Sequence, residues 1–481
     1  MSSVKEYTLV CIGAGSGGLG ASRFAASLGS KVALVEKNKL GGDCTWTGCV
    51  PSKALIKCAK MAHYARTGAD YGVNTENVTV DMGRVKQYVQ NAVESVYSHE
   101  NPEETSKLGI DVIIGAATFV NKNTIEITPT DGSAKYKLMA KYFIVCTGAH
   151  INMPGFVKSV GEGPDILTYD NLFQNDKLPA RLGVLGGGPI GSEIAQAYAR
   201  LGSSVTIFAR ELMPKEDPAA RDVIAAAFQQ DSIAHVKARA TSLKREGGNL
   251  VVGTSTGQSH VVDAVLIATG RSPNTKTLGL DAVGVQLTET GAIKVDKFSL
   301  RTNVPNIFAA GDCTGTIHQF THYAGMQASL AVRNALLPGS ANGSPEPVPR
   351  VTFTDPEVAH VGLTEIEHKA KYGADAMVIM WGLDKMERAA CEHETLGFIK
   401  IMYRKSNNEL TGTTMVCSRA GEMMHEIAVA IEAKMPITKL ALVMHAYPSF
   451  SFTIQEMAGK VYTADLKTGF MGWLVKKFTK K

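Results

Sequence analysis

The sequence predicts an α/β protein built from two Rossmann-like, dinucleotide-binding units and a C-terminal α+β domain. Three observations carry this. Residues 7–37, "YTLVCIGAGSGGLGASRFAASLGSKVALVEK", run strand, glycine turn, alanine-rich helix, strand. Residues 181–210, "RLGVLGGGPIGSEIAQAYARLGSSVTIFAR", repeat that order. Beyond a Gly/Pro/Ser-rich stretch at 338–349, no glycine-rich nucleotide motif recurs and the segments alternate like antiparallel strands.

In the first unit, Gly13, Gly15 and Gly18 form the G-x-G-x-x-G turn, which lets backbone approach a pyrophosphate at a helix N-terminus. Glu36 ends the second strand, 23 residues after Gly13, where a carboxylate takes ribose hydroxyls. In the second unit Gly186, Gly188 and Gly191 repeat the turn. Its second strand ends in Ala209-Arg210, with no acid. Arginine there, with Lys215 in the following loop, predicts NADPH over NADH; the plainer alternative is a solvated loop cation. Two such units in one chain imply two dinucleotides, the layout of a flavoprotein that takes hydride from a nicotinamide.

"KYFIVCTGA" (141–149) and "DAVLIATGRSPN" (263–274) read as strands that return the chain between nucleotide domains. "TNVPNIFAAGDCTG" ends a short strand at Gly311-Asp312, where an aspartate suits a ribityl hydroxyl or simply a turn. In the last domain "RVTFTDPEVAHVGLTE" and "GFIKIMYRKSNNELTGTTMVCS" read as strands, and "AGEMMHEIAVAIEAKM" and "SFTIQEMAGKVYTADL" as helices. The division this gives is 1–150, 151–273, 274–347 and 348–481.

Bulk properties exclude several classes. A net charge of +5 over 481 residues is no nucleic-acid footprint, and no basic-aromatic stripe occurs. No apolar window is long enough for a spanning helix, and the N-terminus runs straight into a strand. Eight cysteines in this length are not a secreted disulfide framework, so a reducing, cytoplasmic setting is expected.

"GGDCTWTGCVPSK" (41–53) holds Cys44 and Cys49. A zinc site lacks the further ligands it needs. A structural clip suits a reducing compartment poorly. The reactive reading has support: residues 50–62 predict a helix with Pro51 near its start, which puts Cys49 at a helix N-terminus and Cys44 in the loop before it. Cys58, on that helix, reads as core.

This stretch resembles the active site of the class I pyridine nucleotide-disulfide oxidoreductases, in their mercuric reductase-like and dihydrolipoamide dehydrogenase-like branches. "GAGSGGLG", "GGGPIGSE", "ATGRSPN", "AAGDCTG" and "FTDPEVAHVGLTE" follow in that family's order. The resemblance implies FAD on the first unit (1–150 and 274–347), NAD(P)H on 151–273, and a homodimer through 348–481 whose active site the partner subunit completes. It implies a redox-active Cys44–Cys49 disulfide, with Cys49 facing the flavin and Cys44 meeting the substrate. It pairs Lys53 with Glu193 and sets Asp312 on the ribityl chain. It directs the helix from Thr321, read as its cap, toward the flavin. The implied cofactor-binding set also takes in Gly42, Thr147, Gly148 and Gly270.

One segment departs from the family. The usual histidine-proline stretch is here "HAYPSFSFTIQE". Aligned on Pro448, the histidine position holds Tyr447 and the glutamate position Phe452. His445 stands two residues early, roughly 7 Å away in extended chain, and reads as structural. Glu456 lies one helical turn beyond Phe452. A buried tyrosine, with a pKa near ~10, is a poor base at neutral pH. This predicts a mercuric reductase-like enzyme with an open choice of acceptor: a metal ion, whose reduction needs thiolates but no proton shuttle, a quinone, oxygen or a small disulfide. A small-disulfide reductase using His445 as displaced base, and a non-catalytic flavin-bound redox sensor, are the alternatives. The C-terminal cysteine pair of mercuric reductases is missing from "TGFMGWLVKKFTKK"; its aromatic residues and four lysines read as a docked helix or a weak membrane contact.

Overall fold

The computed structural model describes residues 4–468 and 470–479. They divide into two compact units: residues 1–186, 200–204 and 238–345, and residues 187–199, 205–237 and 346–481.

The first unit is built on a six-stranded sheet. β1 (Lys5–Ile12) pairs in parallel with β2 (Val32–Glu36) on one side and β5 (Tyr136–Val145) on the other. β2 pairs with β3 (Ile110–Asn121), β3 turns back on β4 (Thr124–Pro129), and β5 pairs with Ile307–Ala309. Leu9, Val10, Cys11, Leu34 and Ile144 are fully buried, as expected of strands covered on both faces. α1 (Ser16–Ser27) crosses from β1 to β2. A Cβ on Gly18 would collide with the Gly13 carbonyl oxygen, so glycine there lets helix and strand touch.

The segments "KYFIVCTGA" and "DAVLIATGRSPN" are strands, as read from the sequence, and each is a sheet member. β5 lies inside the first sheet, and Ala264–Ile267 pairs in parallel with Arg181–Leu185 and Ile166–Leu167. Phe143, Ile144 and Val145 of the first and all of Ala264–Ile267 in the second are buried, as interior strand segments are. The segments just after them, Ala149–Ile151 and Arg271–Pro273, pair with each other as a short antiparallel ribbon.

The second unit holds a five-stranded antiparallel sheet ordered Arg350–Thr352, Glu357–Gly362, Leu410–Cys417, Phe398–Arg404, Ala376–Gly382. The helix Ala420–Glu432 packs on its central strands, and Ile399, Ile401, Met415, Ile427, Ile454 and Met457 form the core. No described helix is long and apolar enough to cross a membrane. In the basic tail, Trp473 and Phe478 are exposed. Lys480, Lys481 and the side chains of Phe470 and Lys476 lie outside the described residues.

Candidate active site

The cysteine segment is shaped by its glycines. Gly41 and Gly42 take positive φ, and a Cβ on Gly42 would lie 2.7 Å from the Gly15 Cα, so the segment lies against the first glycine turn. α2 (Gly42–Trp46) follows and carries Cys44, which is therefore helical rather than in a loop as the sequence suggested. The chain breaks at Thr47-Gly48 and restarts as α3 (Cys49–Thr67). In one unbroken helix, residues five apart point about 140° apart. The break lets the two thiols hydrogen-bond.

Electrostatics separates the two sulfurs. The hydrogen bond to Cys49, then burial, then charge on Cys49 raise the Cys44 thiol far above its ordinary value, against a smaller lowering by the Thr321 hydroxyl. Cys44 thus keeps its proton. Cys49 is exposed in the first turn of α3, where the helix dipole favours a thiolate, and its Sγ is 3.3 Å from Thr321 Oγ1. Thr321 is not the cap. Phe320 has the extended backbone of an N-cap, and Thr321 is the first residue of the helix to Leu336, its hydroxyl turned to sulfur. Cys58 is half-buried rather than core, with burial raising its thiol.

The remaining first-unit residues surround the same turn. Glu36 accepts hydrogen bonds from the Ala14 N–H at 2.7 Å and the Asn38 N–H at 2.8 Å. α1 has no side-chain cap, so its first amides are open to an anion. A Cβ on Gly148 would meet nothing within 4 Å, and one on Gly15 only the Gly42 Cα. Thr147 donates to the Asn274 carbonyl at 2.6 Å. Gly270, at φ +99°, accepts from the Asn152 N–H through its carbonyl. Asp312 is mostly buried, 3.5 Å from the Arg271 guanidinium. Burial raises its carboxyl, partly offset by Arg271. Arg271 also pairs with Asp43, beside Cys44, and its Nε is buried without a protein partner. Open glycines, uncapped amides and an unpartnered buried donor fit a flavin dinucleotide.

The second glycine turn is also open. Gly186 stands at φ +121°, with the Ala268 carbonyl where a Cβ would be, and Gly188 has free space around it. Gly191 is buried in the helix Pro189–Leu201. Glu193 on that helix is buried and accepts from the Phe353 N–H at 2.9 Å. Lys53 lies on α3 and donates to Ser52 Oγ at 3.3 Å. Arg210 is exposed two residues past the strand Ser204–Phe208.

The tail differs. His445 Nδ1 bonds the Val443 carbonyl and Nε2 bonds Glu426 Oε1, both at 2.9 Å. Both ring nitrogens are thus engaged within the chain. Tyr447 is 65% exposed in the single chain, not buried, with its ring edge-on to Phe452 at 5.3 Å. Glu456 has one buried oxygen without a partner, and burial, then Glu387, raises its carboxyl.

The model for pyridine nucleotide-disulphide oxidoreductases matches residues 7–332, and the model for that family's dimerisation domain matches 348–458. The chain belongs to this family. It is 33% identical to mercuric reductase of Acidithiobacillus ferrooxidans, over 96% of this chain and 84% of that protein. It is 34% identical to dihydrolipoyl dehydrogenase of Geobacillus stearothermophilus, over 95% and 96%. Among solved structures, the HOCl-induced flavoprotein disulfide reductase RclA from Escherichia coli matches with a TM-score of 0.83 and 28% identity, covering 95% of this chain and 100% of that one. The protein is thus a flavoprotein disulfide oxidoreductase with a Cys44–Cys49 pair, of a family that typically carries FAD and a pyridine nucleotide. Its dimerisation domain implies a homodimer.

Two side chains escaped sequence reasoning. Arg271 was visible within "ATGRSPN" but had no partners to give it a role. Glu426 lies 19 residues before His445, with no motif to connect them.

Proposed function

We propose that the protein takes hydride equivalents from NADPH and passes two electrons through Cys44 and Cys49 to an acceptor that needs no histidine proton shuttle, a metal ion or a quinone. The engagement of both His445 ring nitrogens supports this reading most. Tyr447 at the usual base position adds to it.

FAD, when bound, supplies a two-electron carrier. The chain's own residues do the rest. The uncapped first turn of α1 and Glu36 hold the dinucleotide, and Asp312 with Arg271 orients the ribityl chain. Thr147, Gly148 and Gly42 leave room for it, and the helix from Thr321 points positive dipole at it. Gly186, Gly188, Gly191 and Gly270 admit the nicotinamide nucleotide, and Arg210 takes its 2′-phosphate. Two electrons and one proton, the content of one hydride, convert the Cys44–Cys49 disulfide to a Cys49 thiolate and a Cys44 thiol. Cys44 then meets the acceptor, and the pair returns to the disulfide as the acceptor is reduced. The partner subunit's tail closes the site. The domain division 1–150, 151–273, 274–347 and 348–481 and a reducing, cytoplasmic setting belong to this reading.

Anaerobic titration of the FAD-loaded protein with NADPH is expected to give a long-wavelength thiolate-to-flavin absorption band. Survival of that band in Cys49→Ser would overturn the assignment.

A further inference from the structure

The loop after the strand Ser204–Phe208 carries Arg210 and Lys215, and in the second unit it is tied to the dimerisation sheet by buried charge. Asp217 caps the helix Pro218–Gln230, accepting from the Ala219 N–H at 2.9 Å. Its two oxygens also accept from Lys400 Nζ at 3.0 and 2.9 Å. Lys400 lies in the strand Phe398–Arg404, is 4% exposed, and donates to Glu365 at 2.6 Å as well. Next to it, Glu216 is buried and pairs with Arg350 Nε at 2.9 Å. Arg350 also donates to the Lys215 carbonyl at 3.4 Å. Toward the start of the loop, the Met213 N–H donates to the Gly187 carbonyl, and Met213 itself holds a positive φ of 42°. The stretch is thus pinned at Met213 and at three consecutive residues, Lys215, Glu216 and Asp217, the last three by two cations of the dimerisation sheet.

An ammonium this deeply buried is costly unless each hydrogen finds an acceptor. Here the acceptors are two carboxylates, one of which ends the nucleotide loop. Arg350 holds the Lys215 carbonyl and the Glu216 carboxylate, and Lys400 holds the Asp217 carboxylate that ends the loop carrying Arg210 and Lys215.

We infer that Lys400 and Arg350 are positioning residues that set NADPH selectivity by fixing the Arg210–Lys215 loop from the dimerisation sheet. This rests on the assignment of Arg210 to the 2′-phosphate.

The test compares the FAD-loaded wild type, Lys400→Met, Lys400→Arg and Arg350→Met. Steady-state KM and kcat are read for NADPH and for NADH, and hydrogen exchange is read over residues 211–216. In both Met variants the KM for NADPH should rise at least about five-fold, as displacement of a positioning contact does. The KM for NADH should hold within about two-fold, and the loop amides should exchange faster. Lys400→Arg, which keeps the charge, should recover most of the NADPH affinity. Unchanged loop exchange and an unchanged NADPH-to-NADH ratio in the Met variants would overturn the inference, even where their melting temperature falls. A wild type without preference for NADPH would instead overturn the Arg210 assignment, and the inference with it; the exchange data separate the two failures.

Discussion

The Cys44–Cys49 segment and the tail at 442–456 show opposite uses of polar groups. In the first, polar groups face the chemistry. The Thr321 hydroxyl touches sulfur, Arg271 joins Asp43 to Asp312, and glycines leave space open beside them. In the second, the one histidine is turned inward onto its own chain, and the outward face is apolar. Leu442, Val443, Met444 and Tyr447 are all exposed, Met444 at 93%. The cysteine pair has its polar neighbours prepared within one chain. The tail offers an exposed apolar surface, with its histidine held by hydrogen bonds within the chain. An enzyme built this way should separate acceptors by whether a protein group must protonate a leaving thiolate.

The largest expected effect is at the prepared end. Cys44→Ser should lower turnover of every acceptor at least about a thousand-fold, since a lost nucleophile is rarely replaced. In the wild type, Cys44 is held protonated above its ordinary value by Cys49 and burial. Its thiolate fraction therefore grows as pH rises, and turnover should climb across about pH 7 to 9 without levelling. A plateau by about pH 8 would show that Cys44 is not the limiting thiol.

Arg271→Met should come next. It leaves Asp43 and Asp312 without their shared cation, a loss of about 3 kcal/mol in stability. Denaturant unfolding checks this. Weaker FAD retention should accompany it, and Lys at this position should restore little, because the fork that spans two carboxylates is lost.

The smallest effect belongs to the tail. His445→Ala removes hydrogen bonds to Val443 and Glu426 and should cost about 1 kcal/mol. Metal-ion or quinone turnover should change less than about two-fold. A loss of a hundred-fold or more would make His445 a base and erase the contrast between the two regions.

The sequence exposed what depends on local pattern. Gly13-x-Gly15-x-x-Gly18 with Glu36 and the repeated turn at Gly186 announced both nucleotide units, because each needs fixed residues at fixed spacing. The alternation after residue 348 announced the antiparallel sheet. What stayed hidden depends on contacts between distant segments. Thr321 looked like a cap until Phe320 proved extended and Cys49 came within reach. Cys44 looked like loop because α2 is too short to show a period. The buried Lys400 carries no local signal in the sequence, since only the fold brings Asp217 and Glu365 to it.

Steady-state NADPH oxidation against Hg(II), Cu(II), a short-chain quinone, glutathione disulfide and lipoamide tests the contrast most directly. The account predicts turnover of a metal ion or the quinone at least about a hundred-fold above either disulfide, lost in Cys44→Ser and kept in His445→Ala. Efficient reduction of glutathione disulfide or lipoamide, abolished by His445→Ala, would contradict it.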